Sequence, residues 1–182
     1  LNTIMSDITY IGPLREEPNR QLKINSGLSM VVGKAGEHTA QLLHDADAET
    51  KALLKRSVQK MKLGKNVGTE SFESKLGSSG FIQIYLEEDG GNKRVLADVG
   101  FGVSQVLLIV LQCCISSESN ILLEQPELHL HPGLQTELGD LFIDSIKRGN
   151  QIIAETHSVN MIERIRRRIR EGVLDPADVS II

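Results

Sequence analysis

The stretch Ile121-Leu-Leu-Glu124-Gln-Pro-Glu127-Leu-His-Leu-His131-Pro132 decides how the chain reads. An apolar run that ends abruptly in carboxylates suits a buried strand delivering acids at its C-terminal end. Pro132 fits the first turn of a helix, with a buried stripe of Leu134, Leu138, Leu141, Phe142 and Ile146 and a stop at Gly149. Ile152-Ile-Ala154 then predicts another short strand, closed by His157, with Ser158 capping a last helix striped by Ile162, Ile165 and Ile169. Upstream, Asp98-Val-Gly100-Phe-Gly102-Val-Ser104-Gln105 is a glycine-bearing loop that runs into an apolar helix starting near Ser104. Such alternation implies an α/β fold with a mostly parallel sheet and helical crossovers. The strands near 121–124 and 151–154 are expected to be adjacent, with Glu124 and His157 at one sheet edge.

The residues before 98 read as a small α+β portion. Ile8–Ile11 predicts a strand closed by Gly12-Pro13, 19–25 a polar connection, and Leu28–Val32 a second strand. Glu37–Lys62 has helical periodicity, broken into two helices by the acid-rich segment His44–Glu49. The Gly-, Ser- and Lys-rich 64–80 predicts a mobile loop or lobe boundary. Phe81–Leu86, a turn over Asp89–Asn92, and Lys93–Leu96 predict a β-hairpin.

The chain has 182 residues, 40% of them apolar and only 3% aromatic, so its core must be aliphatic. A net charge of -4 gives no global field that draws it to nucleic acid. Arg164, Arg166, Arg167, Arg168 and Arg170 crowd the last helix, but stacking aromatics are lacking and a solvated face explains the run. No stretch suits a signal peptide or a membrane span. The only cysteines, Cys113 and Cys114, are adjacent in an apolar helix and read as buried hydrophobes of a reducing, cytoplasmic protein.

Several residues could carry chemistry. Glu124, at a strand end, is placed to hold Mg²⁺ directly or through water, and Glu127 is the nearest second carboxylate. Acids after a strand also suit a helix N-terminus. Gly100 and Gly102 let the backbone approach a ligand, and the helix that follows aims its N–H groups at an anion such as a γ-phosphate. The same pattern can be an ordinary turn. His157 could hydrogen-bond a terminal phosphate. His129 and His131, with Glu124, Glu127 and His157, invite a metal-dependent hydrolase reading, although the spacing is explained without zinc and this loop reads better as a dimer contact. Gly27 to Gly33-Lys34-Ala35 imitates a phosphate loop, but five residues separate the glycines where four are needed, and Ala35 replaces the Mg²⁺-binding hydroxyl.

Together these blocks resemble the ABC-class ATPases, often labelled AAA, of the bacterial group that includes the overcoming-lysogenisation-defect (OLD) nucleases, with SMC-type ATPases as wider relatives. Tyr10-Ile-Gly-Pro-Leu-Arg15 and Glu124 to Pro132 add to the likeness. The resemblance implies a signature loop over Asp98–Gln105, with Gly100, Gly102, Ser104 and Gln105 exposed and facing ATP held by a second subunit. It implies Walker B over Ile121–Glu124, a D-loop region containing His131, and His157 as the switch histidine. Gln125 stands where such ATPases carry the glutamate that polarises water; it can orient water but cannot take its proton. The Walker A loop would precede Tyr10 and is not found there. The expectation is the C-terminal part of an ATPase that binds ATP and Mg²⁺ as a homodimer and is inactive alone. Defence against phage, DNA repair or another DNA-linked process, and regulation of a partner nuclease or other effector all fit the resemblance. The alternative is a non-hydrolysing scaffold or dimerisation module.

Overall fold

A computed structural model describes residues 8–23, 29–72 and 80–182. Its centre is a parallel three-stranded sheet in the order β1 (Ile8–Ile11), β6 (Asn120–Glu124), β7 (Gln151–Glu155). Tyr10 lies opposite Leu122, and Glu124 opposite Glu155. Pairing in register puts Thr9, Ile11, Ile121 and Leu123 on an inner face that is buried, and Tyr10, Leu122, Glu124, Ile153 and Glu155 on the outer face.

A second, antiparallel sheet joins β2 (Leu22–Lys23), β4 (Phe81–Glu87) and β3 (Asn66–Phe72), with β5 (Lys93–Val95) completing the expected hairpin on β4. β3 corrects the reading of 64–80 as a loop: Asn66–Phe72 pairs residue by residue with β4. Its polar sequence disguised it, because only Val67 turns into the core. The rest of that expected loop, 73–79, lies outside the described residues. The polar connection at 19–25 contains the two-residue β2, while 24 and 25 also lie outside. The expected strand Leu28–Val32 is not found over 29–32, and Leu28 is not described. Val32 is held instead by a side chain, its N–H donating to Gln112 Oε1 at 2.9 Å.

The helices follow the periodicity. α1 (Thr39–Asp45) and α2 (Ala48–Lys60) break where expected, with Asp47 accepting the Thr50 N–H as an N-cap. α3 (Phe101–Ile115) is apolar nearly all round and buried from Val106 to Cys114, so it forms the middle of one continuous core. α4 (Pro132–Ile146) has Pro at its start and packs through Leu138, Leu141 and Phe142. α5 (Val159–Arg170) is capped by Ser158, whose hydroxyl accepts the Met161 N–H at 3.1 Å. Both cysteines are free and buried, and burial pushes the Cys113 thiol up to about 12, leaving it unreactive. No helix among the described residues is long and apolar enough to cross a membrane.

Candidate functional site

The C-terminal ends of β1, β6 and β7 meet at one edge. Glu124 is half-buried, and its Oε1 accepts a 2.8 Å hydrogen bond from the Tyr10 hydroxyl. That bond, reinforced by burial and by the charges of Glu124 and Glu155, holds the Tyr10 phenol above its ordinary pKa. Gln125 follows at φ 43, in the left-handed region, and its N–H donates to the Glu155 carbonyl at 2.9 Å. His157 is exposed beside them, and its N–H donates to Glu127 Oε1 at 2.6 Å. Glu124, Gln125 and the His157 turn thus share an edge, with Glu127 behind it.

Other expected site residues are placed differently. Glu127 is only 9% exposed and commits an oxygen to a main-chain N–H, so it does not stand ready as a base. His131 caps α4, with Nδ1 accepting the Gly133 N–H at 3.2 Å, and the His129 ring lies edge-on to Phe101. Among the described residues no three acids, histidines or cysteines are gathered to hold a metal. Glu127, His129 and His131, three members of the constellation required by the hydrolase reading, are therefore engaged in local structure.

The helix after the glycine loop starts at Phe101, not Ser104. This shift turns Ser104 inward: it is 6% exposed and its hydroxyl donates to the Phe101 carbonyl at 2.7 Å. Gln105 is also buried and reaches the Glu16 carbonyl at 3.3 Å. The expectation that these side chains are exposed is thereby corrected. Gly102 has a packing reason as well, since a Cβ there would lie 2.4 Å from the His129 carbonyl oxygen. Gly100 is open, with nothing within 4 Å of its Cβ position. The α3 N-terminus has no capping side chain and no acid in its first turn, and the N–H groups of Phe101 and Gly102 find no acceptor among the described residues. That leaves backbone donors and the positive helix end for an anion.

Tyr10, Arg15 and Glu155 were missed as site residues. Arg15 is buried, and its Nη2 donates to the carbonyls of Glu124 at 3.3 Å and Gln125 at 3.1 Å. Desolvation lowers its pKa to about 10 despite the opposing charge of Glu127. The signal for Glu155 was available in the strand count, because the two strands reach their acids in step. At Gly33, φ is 90 and the Glu37 carboxylate fills the turn, accepting the Ala35 N–H at 3.0 Å, so the imitation phosphate loop closes on its own acid.

Among solved structures, the fold is similar to an SMC head bound to the C-winged helix domain of ScpA. The TM-score is 0.50 at 15% identity, over 64% of this chain and 36% of that one. An SMC head with coiled coil and joint from Pyrococcus yayanosii aligns at 0.49 and 16% identity, over 64% of this chain and 23% of that one. The SMC head domain from Thermotoga maritima aligns at 0.47 and 13%, over 75% and 50%. The chain spans about a third of the length of the first of these, and at such identity the likeness is one of fold alone. No curated protein sequence matches the chain. The profile of one family covers residues 17–163, which include the hairpin, the glycine loop, Glu124 and His157. The chain belongs to that family of AAA-type ATPase domains, described as "AAA domain, putative AbiEii toxin, Type IV TA system".

Proposed function

We propose that the chain carries the signature, Walker B and switch elements of an ABC-type, OLD-like ATPase that closes as a homodimer around ATP and Mg²⁺. The observation that carries this reading is the convergence of Glu124, Gln125 and His157 on one edge of two adjacent parallel strands. The ion fits the residues present. Mg²⁺ is content with one or two carboxylates plus phosphate oxygens and water, so a lone oriented Glu124 suffices where a zinc cage would not. Bound together, nucleotide and ion supply the phosphoryl group and the charge that neutralises it. On the protein side, Tyr10 fixes the rotamer of the Glu124 carboxylate. Gln125 orients a water without accepting its proton. The exposed imidazole of His157 would hold the terminal phosphate of bound nucleotide, and the uncapped α3 N-terminus would supply backbone donors to the γ-phosphate of nucleotide held by the other copy.

The family description names a "putative AbiEii toxin" of a toxin–antitoxin system; the process proposed for the whole protein is phage defence or a DNA-linked one, acting with a partner effector such as a nuclease. In the arginine-rich helix, Arg164 and Arg168 are committed to the buried Asp140, a structural role. Gln125, in place of a carboxylate, favours a second reading: a switch that binds ATP and closes without hydrolysis. The test is Mg²⁺-dependent ATP turnover by the full-length protein and its Glu124→Gln variant. Turnover that falls by about 100-fold in the variant supports the ATPase. Nucleotide-driven association without turnover supports the scaffold. Neither turnover nor association overturns both.

A further inference from the structure

Three loops leave the same edge of the parallel sheet, and two buried side chains of opposite charge tie them together through main-chain groups. Arg15, 7% exposed, lies on the loop after β1. Its Nε donates to the Gly12 carbonyl at 3.2 Å, and its Nη2 to the carbonyls of Glu124 and Gln125. Glu127 comes from the loop after β6 and grips the N–H of His157 in the turn after β7. Arg15 Nη1 and Glu127 Oε2 are both buried with no hydrogen-bond partner among the described residues. No ion pair joins the two, and what holds each in place is the main chain it bonds: carbonyls for Arg15, the His157 N–H for Glu127. The left-handed φ of Gln125 needs the same support. It persists because its carbonyl is held by Arg15 and its N–H by Glu155.

We infer that Arg15 and Glu127 are positioning residues: Arg15 sets the turn that presents Gln125, and Glu127 sets where the His157 turn begins. The inference rests on the reading of Gln125 and His157 as groups facing the terminal phosphate. It assigns Glu127 the role of an acceptor for a main-chain N–H, which an amide oxygen can fill, and not that of a proton acceptor, which an amide cannot fill.

The experiment uses the full-length protein with Glu127→Gln, Glu127→Ala and Arg15→Lys, and has two readouts. The first is hydrogen exchange of the His157 amide. The second is ATP turnover resolved into kcat and KM. The His157 amide is expected to be protected in wild type and Glu127→Gln, and to exchange about tenfold faster or more in Glu127→Ala. Glu127→Gln should keep kcat within about fivefold, while Glu127→Ala loses about 100-fold in kcat with KM little changed. Arg15→Lys keeps the charge but not the fork. It should lower kcat while leaving His157 protected. Unchanged exchange in Glu127→Ala overturns the inference. So does a Glu127→Gln enzyme as dead as Glu127→Ala with His157 still protected, because Glu127 would then be a base. Should Glu127→Ala not fold, Glu127→Gln and Arg15→Lys decide by the same criteria. If wild type shows no turnover, the ATPase reading fails, yet the exchange data still decide whether Glu127 holds the His157 turn.

Discussion

Gly102 shows how much of a candidate site is packing. Its backbone meets the carbonyl of His129, and that carbonyl belongs to a residue itself at φ 63. Gly102→Ala forces main chain against main chain and is expected to destabilise by about 1–3 kcal/mol. Gly133→Ala meets only the His131 ring nitrogen at an ordinary 3.5 Å and is expected to be neutral or stabilising by about 0.5 kcal/mol. Urea unfolding of the two variants checks the contrast; equal effects would remove the contact's importance. Ser104 carries a related lesson. The residue types pointed to a loop for anions, but one turn of helical phase decides whether a serine faces ligand or core. That phase was fixed by the helix starting at Phe101, which no local cap announces. Glu124 and the edge position of His157 were legible because a strand's end can be read from its apolar run. The partners of Glu127 were not, since they come from residues far along the chain.

At the scale of elements, the best-defined contact joins α4 to α5. Asp140, its side chain 4% exposed, accepts from Arg164 at 2.6 Å and from Arg168 at 2.7 Å. Burial pushes the carboxyl upward, but hydrogen bonds from Arg168 and Arg164 outweigh it and hold Asp140 well below the usual carboxylate range. A depressed carboxylate contributes its full stability above the unfolded value near about pH 4, and loses it as pH falls towards the folded one. Asp140→Asn should therefore cost about 3 kcal/mol at neutral pH, leaving Arg164 without its ion-pair partner and Arg168 with Glu171 alone. The gap between variant and wild type should narrow below about pH 4. Thermal unfolding from pH 7 downward measures it, and a gap independent of pH would show that charge is not its source. Elements were legible where periodicity was strong, as in α4 with Leu138 and Leu141. They were hidden where a strand lies half-exposed, as in β3, or is two residues long, as in β2.

For the whole molecule, the proposed dimer makes Gly100 the residue to probe. Its φ of -55 and ψ of 140 suit any side chain, and the space around it is open. Gly100→Glu should fold like wild type yet place a negative charge where a γ-phosphate would approach. Sedimentation of the full-length protein with Mg²⁺ and a non-hydrolysable ATP analogue should show association for wild type and none for the variant. Equal association would leave the glycine loop as an ordinary helix entry. The outer sheet face carries a consequence for handling. Parallel sheets are ordinarily covered on both sides. Here Ile153 is 55% and Ile8 42% exposed, and β7 ends the sheet among the described residues with one row of backbone groups unpaired. In a preparation of residues 1–182 alone, that surface should bind a hydrophobic dye and seed precipitation as concentration rises. A polar replacement such as Ile153→Lys should raise solubility without lowering the melting temperature.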